Sequence, residues 1–361
     1  MKTVYKILSS VLAVFVFCAC DVSNVSNTEI DVPIDMPKSY IHFDTGISSR
    51  GSLVTGNVLQ ADFYVLGYMY RGDWNTAKVM ATPNVFDSTP EEVTYNSGIY
   101  SYSETKPWTG NDYSFFAFYP ANNSSIKLFD DGTSKLGEPY ITYTLPLDEN
   151  PKYLLDVMTA SYIDTNVGAS SSVVFNMKHR LSCVDICARN YAEYDHDGNS
   201  TTPKEPVTIK IKSLEVSFNN LINRKAKIFL NPDIETEAIT TGAGHQFNIL
   251  TSSKDIAPNT SSDTGLRYIT TQSGEDASSL ILIPQEEFLK GTLEISYTKE
   301  YDGSTIETVD SKSINFAFNR SLLEGRRYYI QLTFTSDAVS VEVVAADEWD
   351  DLDNNVDFEF E

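Results

Sequence analysis

Apolar and polar residues alternate with a period of two along much of the chain. The alternation is clearest in residues 293–298, 314–319 and 328–335, where every second side chain is a large apolar one. Such alternation predicts strands that bury one face and expose the other, as in an antiparallel sheet. Helical periodicity is hard to find, and Asp-Gly turn signals occur at residues 131–132, 197–198 and 302–303. The pattern therefore predicts an all-β protein built from antiparallel β-sandwiches.

The alternation changes phase within one apolar stretch. Apolar residues occupy odd positions from Val207 to Ile211 and even positions from Leu214 to Phe218. A slip of one residue moves every side chain to the opposite face of a sheet, so one regular strand cannot bury both sets. The sequence therefore predicts a bulge or a break at residues 212–213.

The beginning of the chain has the layout of an export signal. Lys2 and Lys6 precede an apolar run over residues 7–17 and give the start of the chain a positive charge. The apolar run is too short for a permanent membrane-spanning helix. The small residues that lead to Cys20 resemble a bacterial lipobox, and this resemblance implies that Cys20 is acylated and becomes the first mature residue. We therefore predict a lipoprotein signal peptide over residues 1–19. An ordinary signal peptide with an incidental cysteine is the alternative.

Composition divides the rest of the chain. Residues 20–37 are rich in Ser, Asn, Asp and Pro, which predicts a flexible tether. Residues 191–206 are polar, rich in turn formers and without periodicity. Because loops of this length are uncommon within compact units, we interpret them as a linker between an N-terminal β-sandwich at residues 38–190 and a C-terminal β-sandwich at residues 207–361. A long hairpin loop within one domain is the alternative.

The charge balance is strongly acidic. The chain has 27 Lys and Arg against 50 Asp and Glu, a formal net charge of −23. Such a surface repels nucleic acid and anionic lipid headgroups, so nucleic acid is not an expected partner. Membrane attachment would then depend on the lipid at Cys20. The 21 Tyr and 19 Phe residues suit a sandwich core and glycan stacking equally, so they do not separate these roles.

Motifs for catalysis or cofactor binding are missing from the sequence. It has no nucleophile elbow, no zinc-protease motif, no phosphate-binding loop and no glycine-rich dinucleotide turn. His179 would share the apolar face of a strand, and we interpret it as a hydrogen-bonded core residue. Cys183 and Cys187 are too far apart for a disulfide if they lie on one unbent strand, which predicts two buried thiols. We therefore predict neither an enzyme nor a cofactor-binding protein.

Two acidic loops carry oxygen atoms of the kind that calcium prefers. Residues 195–199, which begin at Asp195, lack the glycine at loop position six and the glutamate at position twelve of an EF-hand. The residues favour a hairpin turn there and a solvated acidic face at residues 347–353. No metal site is therefore predicted.

Several segments rich in aromatic residues follow one another in a characteristic order. They are residues 62–68 with Trp74, Tyr100 with residues 107–108, and residues 113–120, 156–160, 174–182 and 323–329, followed by Trp349. Taken together, this set resembles the fimbrillin family, the exported lipoprotein subunits and accessory proteins of type V pili. The resemblance covers nearly the whole chain after the tether. It implies two tandem transthyretin-like β-sandwich domains.

The resemblance also implies assembly by strand exchange. In the family, an arginine-specific protease cuts after an early strand, and the C-terminal strand of a neighbouring subunit fills the groove that opens, a form of β-augmentation. Carried over to this sequence, residues 40–44 would be the removable strand, and Arg50, in a polar loop, would be the processing site. Val339, Val341 and Val343 alternate with other residues and would form the donor strand.

Each of these assignments has an alternative. Arg50 would also suit a plain surface position, and residues 339–343 would also suit an edge strand that stays in its own sheet. Residues 356–361 alternate as well and are a second candidate donor. Anchor and tip members of such pili need not undergo the same processing, so the position in a pilus stays open.

We therefore predict a structural or adhesive component of a cell-surface pilus, exported as an outer-membrane lipoprotein and assembled by donor-strand exchange. The expected partners are other pilus subunits, of the same or a related kind, with host proteins or glycans as further candidates. The alternative function is a lipid-anchored surface protein that binds glycans without polymerising.

Overall fold

Strands form nearly all of the regular structure. The structure, a computed structural model, describes residues 40–47, 59–129, 136–148, 150–164, 172–195, 204–250, 252–260, 265–270 and 278–345. Within these ranges the chain forms 23 strands, one short α-helix and one 3-10 turn. The prediction of an all-β protein is therefore confirmed.

The strands are numbered along the chain. Up to residue 179 they are β1 Phe43–Ile47, β2 Phe63–Tyr70, β3 Glu91–Asn96, β4 Ile99–Ser101, β5 Asp112–Tyr119, β6 Ile126–Leu128, β7 Tyr140–Thr144, β8 Met158–Asp164 and β9 Val173–His179. The later ones are β10 Ser182–Tyr191, β11 Glu193–Tyr194, β12 Glu205–Pro206, β13 Thr208–Phe218, β14 Ile222–Phe229, β15 Glu237–Gly242, β16 Gln246–Asn248, β17 Lys254–Ile256, β18 Arg267–Tyr268, β19 Leu280–Leu282, β20 Lys290–Tyr301, β21 Ser304–Ala317, β22 Arg327–Thr335 and β23 Val339–Ala345. The helix α1 is Trp74–Ala77, and the 3-10 turn is Pro151–Tyr153. No helix among the described residues is long and apolar enough to cross a membrane.

The largest sheet has seven strands in the order β1-β9-β8-β5-β2-β3-β4. It is buried on both faces, because β5 contributes Phe116 and Phe118 to one apolar cluster and Phe115 and Ala117 to another. The first cluster also contains Ile141 and other residues of the four-stranded sheet β15-β14-β7-β6. The second, smaller cluster lies on the opposite face of the seven-stranded sheet. This second core positions the site described below.

Two further sheets carry most of the later strands. One has the order β18-β10-β22-β23, with β19 also paired to β10, and the other has the order β16-β13-β20-β21, with β17 also paired to β13. Most pairings are antiparallel, as predicted, but β1 with β9 and β10 with β22 are parallel pairs among the described strands. The predicted irregularity in β13 is confirmed, because the register against β20 shifts between Ile211 and Ser213.

Strand pairing crosses the predicted linker at residues 191–206. Strand β10, which precedes it, pairs with β22, and β14, which follows it, pairs with β7. The two ends of the linker also meet, because β11 and β12 form a short antiparallel ladder. The residues on either side of the linker therefore share sheets, and the division into domains at 38–190 and 207–361 stays a prediction.

Arg180, directly after β9, connects three parts of the fold. Its side chain is fully buried, and it donates to Thr159 Oγ1 at 3.0 Å, to the Phe229 carbonyl at 3.0 Å and to the Ile234 carbonyl at 2.6 Å. Its Nε also forms an ion pair with Glu324. One cation thus holds β8, the end of β14 and the turn before β22 together, because each acceptor would otherwise lose its partner away from water.

Cys183 and Cys187 are buried free thiols in β10, as predicted. Burial raises the pKa of both thiols well above the ordinary value, so neither forms the reactive thiolate at neutral pH. In a chain that carries Cys18→Ser and Cys20→Ser, we expect a thiol reagent at pH 8 to modify neither cysteine until denaturant is added. Rapid modification of one equivalent in the native protein would contradict this burial.

Candidate functional site

Residues 40–47, here called the edge segment, lie at one edge of the seven-stranded sheet. Within the part of the chain that the structure describes, β9 is the only strand that pairs with β1, and the pairing is parallel, with Phe43 opposite Val173 and Thr45 opposite Phe175. The residues before β1 are held by the backbone hydrogen bond from Ile41 to the Lys106 carbonyl at 2.9 Å. Strand β1 is therefore paired along one side only among the described strands, and the residues before it are also held by the segment at Lys106 and Pro107.

The alternation of the edge segment explains how it is bound. Ile41, Phe43 and Thr45 are buried, whereas His42 and Asp44 are exposed. This period of two is that of a strand with one face on the core. The sequence predicted the removable strand at residues 40–44, and the strand begins three residues later because Tyr40 forms only an isolated bridge with Pro107.

Phe43 is the central side chain of the edge segment. Its ring stacks on that of Phe175, with centroids 5.5 Å apart and planes inclined by 20°. It also meets the rings of Phe115 at 5.5 Å, Tyr102 at 5.4 Å and Phe86 at 6.0 Å. Offset and edge-to-face contacts of this kind stabilise beyond the area that they bury. We call the surface that receives Ile41, Phe43 and Thr45 the edge groove.

The edge groove ends in a polar contact, here called the hydroxyl notch. The backbone N–H of Leu59 donates to Thr45 Oγ1 at 3.0 Å, and the hydroxyl oxygens of Thr45 and Tyr100 lie 2.7 Å apart. Tyr100 also donates to the Leu59 carbonyl, and its ring packs against Phe63. Burial raises the pKa of Tyr100, although its hydrogen bond to Thr45 acts in the opposite direction. The phenol therefore keeps its proton at neutral pH and remains a donor.

Other predicted residues lie apart from this site or outside the described residues. Cys20, Arg50 and the acidic segment 347–353 lie outside them, as do the signal peptide and the tether. Val339, Val341 and Val343 lie in β23, an edge strand paired with β22 and adjacent to β21. Whether that strand is donated stays a prediction.

The remaining chemical candidates have ordinary structural surroundings. His179 Nδ1 lies 2.7 Å from Asp156 Oδ2, and both side chains are buried, which confirms the prediction of a hydrogen-bonded core histidine. Asp195 is described, but the rest of the candidate calcium loop is not. Among the described residues, no group of three or more His, Cys, Asp and Glu side chains is placed to hold a metal ion.

Two features of the site were not predicted from the sequence. The parallel pairing of β1 with β9 has no signature in the alternation, which is the same for both strand directions. The hydroxyl notch joins Thr45 to Tyr100, and these residues are separated by 55 positions. Tyr100 stood out as part of the aromatic set, but nothing in the sequence indicated that it binds the edge segment.

Comparison with solved structures finds similar proteins. In structure, the chain is similar to a fimbrial protein from Bacteroides vulgatus, with 19% identity, a TM-score of 0.59 and alignments that cover 86% of this chain and 99% of that one. Candidate cell adhesion proteins from Bacteroides uniformis and Bacteroides ovatus align at 14% and 15% identity, each with a TM-score of 0.48. Those alignments cover 86% and 88% of this chain and 99% and 100% of theirs.

Sequence comparison identifies the family. No protein with a curated description matches the chain. The model of the fimbrillin-like family matches residues 65–349, which is most of the chain and includes nearly all of the described strands. The alternating strands, the double-faced seven-stranded sheet and this match lead to one conclusion: the chain belongs to the fimbrillin-like family.

Proposed function

We propose that the protein is a structural and adhesive component of a cell-surface pilus that joins its neighbours by exchange of the edge segment. The observation that carries this proposal is that residues 40–47 complete a buried aromatic cluster from the edge of a sheet. A strand at an edge can leave without dividing the sheet, and it leaves a row of free main-chain groups behind. Membership of the fimbrillin-like family supports the same function.

Loss of the edge segment would create a strong binding site for another strand. It would uncover the partners of Ile41 and Phe43, which are 0% and 5% exposed in the intact protein. Apolar surface in contact with water is unfavourable by about 25 cal/mol per Å². An incoming strand would cover this surface and pair with β9, so it would gain burial and main-chain hydrogen bonds together.

We propose Arg50 as the position at which the edge segment is released. Arg50 follows the last residue of β1, Ile47, by three positions. Because Cys20 precedes the edge segment, a cut after Arg50 would detach the segment together with the lipid. The same linkage would tether the precursor to the outer membrane and free the processed subunit. Without the cut, Cys20 would be a permanent anchor.

The proposed partners are other pilus subunits at the cell surface. Strand β23, with Val339, Val341 and Val343, or the alternating residues 356–361, would be donated to the edge groove of a neighbour. Strand β23 already lies at the edge of its sheet, which supports this role. Host proteins and glycans are candidate ligands of the assembled pilus. The proposed role involves no catalysis.

An arginine-specific protease tests the proposed function. We expect it to cut the purified protein after Arg50, and we expect the cut protein to form SDS-resistant complexes when it is incubated with other pilus subunits. An Arg50→Lys variant keeps the positive charge but is not a substrate of an arginine-specific protease, so it should stay uncut and monomeric. Cleavage at Arg50 without any assembly would contradict a stalk role. Saturable glycan binding by a monomer that never assembles would favour the alternative function, a surface glycan-binding protein.

A further inference from the structure

We propose that the edge groove selects a strand with a serine or threonine two residues after an aromatic residue, and that this strand comes from a different protein rather than from a second copy of this chain. The inference rests on the proposed function, because it concerns the strand that replaces the edge segment. It is carried by the hydroxyl notch and by the composition of the candidate donor segments.

The notch requires a hydroxyl because its own donor is buried. Leu59 is 0% exposed, and its N–H donates to Thr45 Oγ1 at 3.0 Å. Thr45 itself is 5% exposed, so water does not reach the contact freely. A valine at this position would have the same shape as threonine but no acceptor, and it would leave the Leu59 N–H without a partner. Buried unsatisfied donors of this kind weaken binding about 5-fold to 150-fold.

The second member of the notch makes the selection sharper. Tyr100 Oη lies 2.7 Å from Thr45 Oγ1, and its ring is fixed by packing on Phe63 at 5.5 Å and Tyr95 at 5.1 Å. Because the ring is held on two sides, the phenol cannot turn away to make room for a larger apolar residue. The groove therefore accepts a small hydroxyl side chain at this position and large apolar ones at the positions of Ile41 and Phe43.

The candidate donor segments of this chain do not meet this requirement. No serine or threonine occurs from residue 346 to residue 361. The alternating end of that segment places Val356, Phe358 and Phe360 where the edge segment has Ile41, Phe43 and Thr45. The missing hydroxyl cannot be supplied by running the strand in the opposite direction either, because the segment contains none.

Strand β23 fails for a related reason. Val339, Val341 and Val343 lie in phase with one another and would place valine in the notch. In the opposite phase, a strand that runs in the direction of the edge segment would place Ser340 in the notch and Ala338 at the aromatic position, whereas a strand that runs the other way would place Glu342 there. Alanine would leave the space of the aromatic ring empty, and a buried, unpaired carboxylate is more unfavourable than the missing hydrogen bond. The candidate donor segments of this chain therefore fit the groove of another protein better than the edge groove. The edge groove fits a strand of another subunit.

Peptide competition tests this inference on the full chain after treatment with the arginine-specific protease. A fluorescein-labelled peptide of residues 38–47 is bound first, and unlabelled peptides then compete for the edge groove. We expect Thr45→Ser to compete within about 3-fold of the natural peptide and Thr45→Val to be at least about 10-fold weaker. The Tyr100→Phe protein should discriminate less between threonine and valine.

A gain of binding provides the matched control. A peptide of residues 346–361 should compete poorly, and the same peptide with Phe360→Thr should compete at least about 10-fold better, because it restores the hydroxyl and leaves the acidic charge unchanged. Equal competition by the threonine and valine forms, or strong competition by the natural 346–361 peptide, would overturn the inference alone. If even the 38–47 peptide fails to enter the cut protein, strand exchange itself is wrong and both proposals fall.

Discussion

Replacement of Phe43 by alanine is expected to lower the free energy of unfolding by about 3 kcal/mol. The ring is 5% exposed and fills the centre of the edge groove, so its loss removes apolar contacts and leaves a cavity among rigid aromatic neighbours. Urea denaturation followed by tryptophan fluorescence measures the effect, because Trp108 contacts Phe115 in the same core.

Asp44→Ala provides the control for Phe43→Ala. Asp44 is the next residue of the same strand and is exposed, so its loss should change the free energy of unfolding by less than about 0.5 kcal/mol. Equal effects of the two substitutions would mean that the edge segment does not bury Phe43 in the second core. The comparison therefore tests which face of the segment occupies the groove.

Replacement of Arg180 by methionine is expected to be the other severe change, with a loss of about 3–5 kcal/mol. Methionine keeps an apolar side chain of similar length but removes the guanidinium. The carbonyls of Phe229 and Ile234 would then lose their charged donor, and Glu324 would lose its ion pair. Thermal denaturation followed by circular dichroism measures the resulting loss of stability.

Lys178→Met is the matched control for Arg180→Met. Lys178 lies two residues earlier, and its side chain is 45% exposed in a pair with Asp233, which is 80% exposed. Exposed pairs of this kind contribute about 0–1 kcal/mol, so the control should denature close to the parent temperature. If Arg180→Met proved as mild as this control, the connection among β8, β14 and the turn before β22 would not depend on the guanidinium.

Features that depend on neighbouring residues were predictable from the sequence. The change of phase between Ile211 and Leu214 predicted the bulge that the pairing of β13 with β20 contains. The apolar face of residues 175–181 predicted His179 as a core residue, and Asp156 accounts for its hydrogen bond. These patterns carry their information locally, because side chains in a strand alternate whatever the strand pairs with.

Features that depend on distant residues were not predictable. Arg180 is next to His179, yet its complete burial follows from acceptors that lie 21 to 144 positions away. Arginine is usually exposed, so no local pattern distinguishes this one. The hydroxyl notch has the same character, since Thr45, Leu59 and Tyr100 meet only because β1 enters the sheet parallel to β9. For this protein, the fold class was predictable from local alternation, whereas the specificity of the site was not.

A reversible covalent lock tests most directly whether the edge segment must leave. Asp44 lies opposite Val174 in the parallel pair, and both side chains are exposed. Neighbouring strands lie about 4.8 Å apart, which is within the Cα separation that a disulfide spans. In the double variant Asp44→Cys, Val174→Cys, we predict that the oxidised protein is cut after Arg50 but does not take up a labelled peptide of residues 38–47, and that a reducing agent restores its uptake. Equal uptake by the oxidised and reduced forms would contradict strand exchange at this groove.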